Sequence, residues 1–344
     1  MKKTKHASFI EGKYPKGCQL CVKGQKMVLF VTGFCSRGCE YCPLSKMRKS
    51  IDKIYANERL ISSENAYNEI IEEVKISGAK GCSLTGGDPL LKLDRTINLA
   101  KKLKENFGKK FHIHIYVSTK LVTKSKLKKL SKIVEEIRFH PDFEEPMKKE
   151  INKIALAKEF WKKKNIGIEI PCFPDKIEKI LAFIKNAEPH ISFLNLNELE
   201  SGEISEEIMG KKYGINKDGH TIKNSIDAGK YLIKEIQKFA PKLNIHLCTA
   251  ELKNWHQYKN RLKNYKIPKF AKKTDDGTII YFALKYTKNF FKSLPPKKAY
   301  HDKKKNRIIL HPKLASKLKD KFEIFRIEEY PTYEREECEV ERLE

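Results

Sequence analysis

Three cysteines stand close together in the first part of the chain, with the spacing Cys35-x3-Cys39-x2-Cys42. They follow an apolar run at residues 28–31 that is typical of a buried strand. Three thiolates on one short loop can hold three corners of an iron–sulfur cube and leave the fourth iron open to a substrate. Zinc is the alternative, but a structural zinc site takes four protein ligands and no nearby residue is an obvious fourth. A disulfide would suit a secreted chain, and nothing in the sequence indicates secretion.

A glycine-rich turn, Thr85-Gly86-Gly87-Asp88-Pro89, follows a second strand-like run further along the chain. Together with the cysteine loop, in which Tyr41 precedes the last cysteine, it resembles the radical S-adenosylmethionine (SAM) superfamily. The resemblance covers residues 26–200 and is to the branch related to the activating enzymes of pyruvate formate-lyase. It implies a [4Fe–4S] cluster on the three cysteines and a turn whose backbone holds the methionine amino group of SAM. Asp88 stands where Glu is usual, which leaves that backbone role intact.

The resemblance implies an enzyme that cleaves SAM reductively to a 5′-deoxyadenosyl radical, with an electron donor such as ferredoxin or flavodoxin. The SAM turn argues against an iron–sulfur protein without turnover. Ser118 and Thr119 are where the family often contacts SAM, although they could simply be a solvated strand end. Other polar residues at predicted strand ends are candidates for the site: Arg138, His140, Asn195, Asn197 and Glu198. Glu169 is a further candidate, because it lies inside an apolar strand and must find a partner or shift its pKa. No general base stands out.

These residues are positioned by strands and helices that alternate six times and end in a further strand at residues 244–248. Such alternation predicts parallel strands joined by right-handed crossovers, in a barrel or in an open doubly wound sheet. The resemblance favours the barrel. We therefore expect an α/β protein with a partial (β/α)6-type barrel at residues 26–250, whose first helix begins at Ser62-Ser63-Glu64. Residues 1–25 look irregular, and residues 251–344 read as a small basic β-rich domain with an acidic tail.

The net charge of +27 is unevenly distributed along the chain. Residues 251–321 contain 21 Lys and Arg against five Asp and Glu. Such an excess favours a polyanion, and the sequence predicts that this segment binds RNA, most plausibly a tRNA substrate. The alternative is a protein or small-molecule substrate, as in the activating enzymes. Lysine-rich usage can also reflect genome composition or a hot habitat, but that would bring matching acids.

A second set of cysteines suggests an auxiliary metal site. Cys18 and Cys21 form a C-x2-C pair just before the first strand, and Cys248 ends the last strand. If the first and last strands of a nearly closed barrel are neighbours, the three sulfurs could meet and bind an iron–sulfur cluster or zinc. His246, His256 and Cys172 are possible fourth ligands. The alternative is that Cys248 is a small buried apolar residue and that the pair is incidental or binds zinc alone.

The sequence contains no apolar stretch approaching the roughly 20 residues of a membrane span. The first residues are basic but lack the apolar run of a signal peptide. We therefore expect a cytoplasmic protein with no membrane partner, whose nine cysteines stay reduced.

Overall fold

The computed structural model describes residues 1–62 and 65–344. Two compact units make up the chain, residues 1–74 with 79–257 (unit 1) and residues 75–78 with 258–344 (unit 2). Residues 1–25, which the sequence set apart, belong to unit 1. The predicted helix start at Ser63 and Glu64 lies outside the described residues. Within the described part of the chain, no helix combines the length and apolar composition needed to cross a membrane.

Unit 1 is built on one sheet flanked by helices. Its strands are β1 (Lys2–Lys3), β2 (Phe9–Glu11), β3 (Lys26–Phe30), β4 (Ile54–Ala56), β5 (Arg59–Ile61), β6 (Gly81–Thr85), β7 (His112–Ser118), β8 (Glu136–His140), β9 (Ile166–Pro171), β10 (Phe193–Asn197) and β11 (Asn244–Cys248). Its helices are α1 (Lys16–Val22), α2 (Ala66–Ser77), α3 (Leu93–Phe107), α4 (Lys124–Leu130), α5 (Met147–Ala155), α6 (Ile177–Ala187), α7 (Glu206–Tyr213) and α8 (Ser225–Phe239), followed by a π-helical turn, Leu252–Gln257.

The strand order is β1-β2-β11-β10-β9-β8-β7-β6-β3-β4-β5. The strands from β3 to β11 along this order pair in parallel, while β2 and β4 pair antiparallel at the two ends. The predicted α/β class with a parallel sheet is confirmed. The first and last parallel strands are not neighbours, contrary to our expectation, because the sheet stays open and short antiparallel strands cover both edges.

The sheet curls around helix α1. This helix contacts β3, β6 and β7, and its Cys18 reaches Asn195 on β10. Five strand spacings separate β3 from β10 in the sheet order, about 24 Å at about 4.8 Å each. A helix of seven residues is only about 10 Å long. A flat sheet could not bring these strands to one short helix, so the sheet forms a partial barrel with α1 on its concave face.

The sequence accounts for the layers on the other face of the sheet. In α6, the residues Ile180, Phe183, Ile184 and Ala187 are buried, which is the i, i+3, i+4, i+7 pattern of an amphipathic helix. On the strands, Leu29, Leu84 and Ile115 belong to the same buried apolar core as this helix face. The core therefore lies between the strands and the outer helices.

Unit 2 is a small antiparallel β domain. Its elements are α9 (Tyr258–Asn264), β12 (Lys272–Lys273), β13 (Ile279–Lys285), α10 (Lys288–Ser293), β14 (Ala299–Asp302), β15 (Arg307–Leu310), α11 (Pro312–Leu318), β16 (Phe325–Glu329) and β17 (Glu337–Arg342). The sheet order is β14-β15-β13-β16-β17, with β12 paired to β13. The acidic tail, which the sequence left without structure, forms β17, because its glutamates pair with Arg326 on β16.

Candidate functional site

The cysteine loop is anchored to the carboxyl end of β8. Arg37 donates from Nη1 to the backbone oxygen of His140 at 3.0 Å, and its Nη2 lies 3.3 Å from an Asp142 carboxylate oxygen. The Tyr41 hydroxyl and His140 Nε2 are 2.8 Å apart, and His140 Nδ1 lies 2.8 Å from the Glu169 backbone oxygen. Burial, with Arg37 nearby, lowers the pKa of His140 to about 4, so the imidazole is neutral at pH 7. The Glu169 contact then assigns the proton to Nδ1 and leaves Nε2 to accept from Tyr41.

The three thiols of the cysteine loop are partly exposed to solvent. Cys35 is exposed, and Cys39 and Cys42 are half-buried. The Arg37 backbone N–H lies 3.4 Å from Cys35 Sγ. Across residues 1–62 and 65–344, no three His, Cys, Asp or Glu side chains already converge on one metal position. The donor set, three thiols on one partly open loop, nevertheless fits a thiolate-bound cluster chemically.

The glycine turn after β6 packs directly on the backbone that leads into the cysteine loop. Gly87 N–H donates to the Thr32 oxygen, and Asp88 N–H donates to the Phe34 oxygen, both at 2.8 Å. A Cβ on Gly87 would lie 2.2 Å from the Phe34 oxygen, and one on Gly86 would lie 2.4 Å from the Thr32 oxygen. Only glycine allows this approach, so the two motifs recognised in the sequence form one assembly.

Two side chains at the end of β7 have different surroundings. The Ser118 hydroxyl donates to a carboxylate oxygen of Asp88 at 2.5 Å, and the other Asp88 oxygen accepts from the Leu90 backbone N–H. Burial raises the pKa of Asp88 although these hydrogen bonds oppose the shift. Thr119 is bonded instead to the buried Glu150. The structure therefore brings Ser118 to the glycine turn, whereas the Thr119 hydroxyl is already occupied.

An ionic network crosses the concave face of the barrel. Arg138, which is 1% exposed, contacts Glu136 at 2.5 Å and Glu169 at 2.7 Å. Asn195 and Asn197 donate to the same Glu169 carboxylate at 2.9 and 3.1 Å. Burial pushes the pKa of Glu169 up, but Arg138 and the two amides outweigh it and lower the pKa overall. The polar strand-end residues chosen from the sequence thus meet in one network.

Glu198, the last of the predicted strand-end residues, does not join this network. Its carboxylate accepts from the Ala250 backbone N–H at 2.7 Å. Burial raises the pKa of Glu198. Its role in the structure is to hold the backbone that follows β11.

The structure places the second set of cysteines on the same side of the sheet by a route that the sequence did not predict. Helix α1 carries Cys18 and Cys21 into the barrel, where Cys18 lies beside Asn195 of β10, and Cys248 ends the neighbouring strand β11. Burial raises the pKa of Cys18 and of Cys248. This arrangement arises because the N-terminal helix fills the barrel, not because the first and last strands pair.

Two concave-face residues were missed by sequence reasoning. Lys26, at the start of β3, is 6% exposed, and His114, on β7, is fully buried with no partner on Nδ1. A signal for His114 was present, because His112, His114 and Tyr116 alternate with Ile113, Ile115 and Val117. Alternation with period two places these polar residues on one face of a strand. No comparable signal pointed to Lys26.

A cavity of about 380 Å³ opens beside the cysteine loop. It is lined by Arg37, Cys39 and Tyr41 of the loop and by residues that follow β8 and β9, including Asp142 and Phe173. Small-molecule sites range from about 300 to 1,000 Å³. A molecule bound in this cavity would therefore lie directly against the loop.

Comparison with known proteins agrees with this geometry. The sequence profile of the radical SAM superfamily matches residues 29–163. A protein of Methanocaldococcus jannaschii, named provisionally as a glycyl-radical enzyme activating enzyme, is 38% identical over 281 residues, which cover 78% of this chain and 72% of that protein. The predicted relation to activating enzymes is confirmed by this match.

Two solved structures are more distantly similar. AdoMet-bound anSMEcpe is 17% identical with a TM-score of 0.34, covering 49% of this chain and 50% of its own. The radical SAM methyltransferase TsrM of Kitasatospora setae, with tryptophan and a SAM analogue, is 11% identical with a TM-score of 0.39, covering 61% and 44%. The chain spans half or less of each, and these likenesses are too weak to support an argument. The sequence profile and the close relative are sufficient: the chain belongs to the radical SAM superfamily.

Proposed function

We propose that this radical SAM enzyme holds a [4Fe–4S] cluster on Cys35, Cys39 and Cys42 and abstracts a hydrogen atom from a protein. The observation that supports the site most strongly is the backbone packing of the glycine turn against residues 32–34. In this packing the glycine turn and the cysteine loop lie side by side at the carboxyl ends of β3 and β6. Active sites gather at this end of barrel strands.

When bound, the reduced cluster and SAM supply one-electron cleavage of the sulfonium to methionine and a 5′-deoxyadenosyl radical. The chain's own residues position the reactants. Arg37 and Tyr41 fix the cysteine loop to β8, and the Gly86–Gly87 backbone offers carbonyl oxygens to the SAM amino group. Asp88 holds the turn through Leu90 and Ser118. A reductant is required by the family, and we propose a ferredoxin or flavodoxin for that role.

A protein substrate is supported by the name of the 38% identical relative. The RNA substrate that the sequence suggested has no support from the comparisons and stands only on the charge of residues 251–321. The structure adds one detail to that charge. Lys303, Lys304 and Lys305 occupy the tip between β14 and β15, where Lys303 and Lys304 are exposed. We therefore keep RNA as the second candidate.

The chemistry is tested by purifying the protein anaerobically, reconstituting the cluster and measuring 5′-deoxyadenosine after reduction with SAM present. We expect product from the wild type and none from Cys39→Ala. Cys338→Ala, which removes an exposed thiol from unit 2, is the matched control and should keep full product formation. Product at the wild-type level from Cys39→Ala would refute the assignment of the loop.

The substrate class is tested by adding extract of the source organism and measuring the increase in 5′-deoxyadenosine. Extract is pretreated with nuclease in one sample and with immobilised protease in another. A protein substrate predicts that only protease removes the stimulation. Loss after nuclease alone would overturn the protein proposal in favour of RNA.

A further inference from the structure

The interior of the barrel contains three thiols that the proposed function does not use. Cys18 and Cys21 lie one turn apart on α1, which places both on one face of the helix. Cys248 ends β11, and in the register of the sheet it is paired with Asn197 of β10. Cys18 contacts Asn195 of β10, two residues before Asn197 on the same strand, so residues far apart in sequence share one part of the concave face.

Cys18 Sγ receives two N–H groups. Asn195 Nδ2 lies 3.2 Å from it and Arg138 Nη2 lies 3.5 Å from it. A neutral thiol is a weak acceptor, whereas a thiolate bound to a metal is commonly surrounded by such donors. The two contacts therefore favour a thiolate at this position.

Lys26 is a buried cation beside the same sulfurs. It is 6% exposed, and among the described residues no carboxylate lies within ion-pair distance of its ammonium group. Lys26 begins β3, one of the strands that α1 packs against. A buried charge is normally paired, so this lysine calls for negative charge nearby, which thiolates on α1 would supply.

His246 supplies a fourth donor, because its ring packs edge-on against Tyr14 but its nitrogens are unused. It is 3% exposed, and neither of its ring nitrogens has a hydrogen-bond partner. It precedes Cys248 by two residues on β11, so both side chains point to the same face of the strand, and in register it is paired with Asn195. The alternatives for a fourth ligand are placed elsewhere.

Cys172 points away from the barrel interior, because a Cβ built on Gly229 of α8 would lie 2.9 Å from its sulfur. His256 lies in the π-helical turn after β11, with its ring packed edge-on against His6. His246 is in register with Asn195, which contacts Cys18, so it is the ligand that the geometry favours.

We propose that Cys18, Cys21, Cys248 and His246 bind one zinc ion that fixes α1 inside the barrel. Three thiolates, one imidazole and Zn²⁺ form a closed tetrahedral structural site with one net negative charge, which Lys26 balances. In the present arrangement the four side chains do not yet converge on one point, and the loop cysteines share that property. Binding of the ion therefore requires these four side chains to rotate toward one another on the concave face.

The test is metal analysis of the full-length Cys35/Cys39/Cys42→Ala variant, which removes the loop cluster and isolates the interior site. We expect about one zinc per chain in this background, with loss of the zinc when Cys18→Ser or His246→Ala is added. Adding Cys172→Ala instead should leave the zinc in place. Replacement of zinc by Co²⁺ in the triple variant should give the intense absorption of a tetrahedral cobalt thiolate, which reports ligation without any added interior mutation.

Three outcomes would overturn the proposal. A metal-free triple variant that is folded by circular dichroism and gives no cobalt thiolate absorption would exclude the site. Zinc retained after both Cys18→Ser and His246→Ala would place the ion elsewhere. Iron with acid-labile sulfide in the triple variant would replace zinc by a second iron–sulfur cluster. None of these results depends on SAM cleavage, so the zinc site and the proposed function can fail independently.

Discussion

Replacing Gly87 by alanine tests the joint between the glycine turn and the cysteine loop. The new Cβ would lie 2.2 Å from the Phe34 oxygen, 2.5 Å from the Phe34 carbonyl carbon and 2.8 Å from the Gly33 oxygen. All three are backbone atoms, so no side-chain rotation can relieve the contact. The turn must move away from residues 33–34, and the 2.8 Å hydrogen bonds from Gly87 and Asp88 N–H to the preceding segment must lengthen.

The size of the effect follows from these two losses. Overpacking in a well-packed region costs about 1–3 kcal/mol. Each backbone hydrogen bond contributes about 1 kcal/mol net. Gly87→Ala should therefore lower the free energy of unfolding of unit 1 by about 3–5 kcal/mol. Gly38→Ala is the control, because a Cβ there meets nothing within 4 Å, and it should change the free energy of unfolding by less than about 0.5 kcal/mol.

Urea unfolding followed by tryptophan fluorescence measures this difference in unit 1 alone. The chain has two tryptophans, and both lie in unit 1. Trp161 is 6% exposed and donates to the Val134 oxygen at 2.9 Å, so its emission reports the core. SAM binding to the reconstituted protein should weaken in parallel. A Gly87→Ala protein with the wild-type urea midpoint and wild-type SAM affinity would refute the argument.

Two further predictions concern charged residues. Arg138→Met leaves Glu136 and Glu169 unpaired in the barrel and should cost about 3–5 kcal/mol at pH 7. Arg138 helps hold the folded pKa of Glu169 below 4.5. The stability that this interaction adds is present above that pH and is lost as pH falls, so the free energies of unfolding of wild type and Arg138→Met should converge in acid. Adding Glu169→Gln to Arg138→Met should recover part of the loss at pH 7. If unit 2 binds tRNA, replacing Lys303, Lys304 and Lys305 by Glu should weaken binding and flatten its salt dependence in filter binding. Equal binding by the two proteins would show that this tip is not used.

The alternating part of the fold was readable from the sequence because its physical signals are local. Strand β6 is followed directly by Gly86, β10 ends in Asn197, and α6 shows a clear helical period. The cysteine loop and the glycine turn could be placed at the strand ends for the same reason. Their contact through backbone atoms of Thr32 and Phe34 could not be predicted, since it depends on the register between β3 and β6.

The N-terminal segment shows where the local signals misled. Residues 1–25 read as irregular, but Pro15 occupies the N-cap position of α1 and Gly17 lies within the helix. A Cβ on Gly17 would lie 2.6 Å from Arg138 Nη2 and 2.7 Å from His114 Nδ1. This glycine permits close packing of a helix on a polar barrel interior. Its purpose depends on residues 97 and 121 positions away in the chain, which no local pattern contains.

The edges of the large sheet bear on the behaviour of the protein at high concentration. A parallel sheet left open exposes main-chain N–H and C=O groups that can pair with another molecule and seed aggregation. Here β2 covers β11 at Ile245–Leu247, and the outermost strand, β1, is a pair of exposed lysines. Two positive charges and a length of two residues make a poor template for another strand. Deleting residues 1–11 would expose the β11 backbone and favour edge-to-edge self-association.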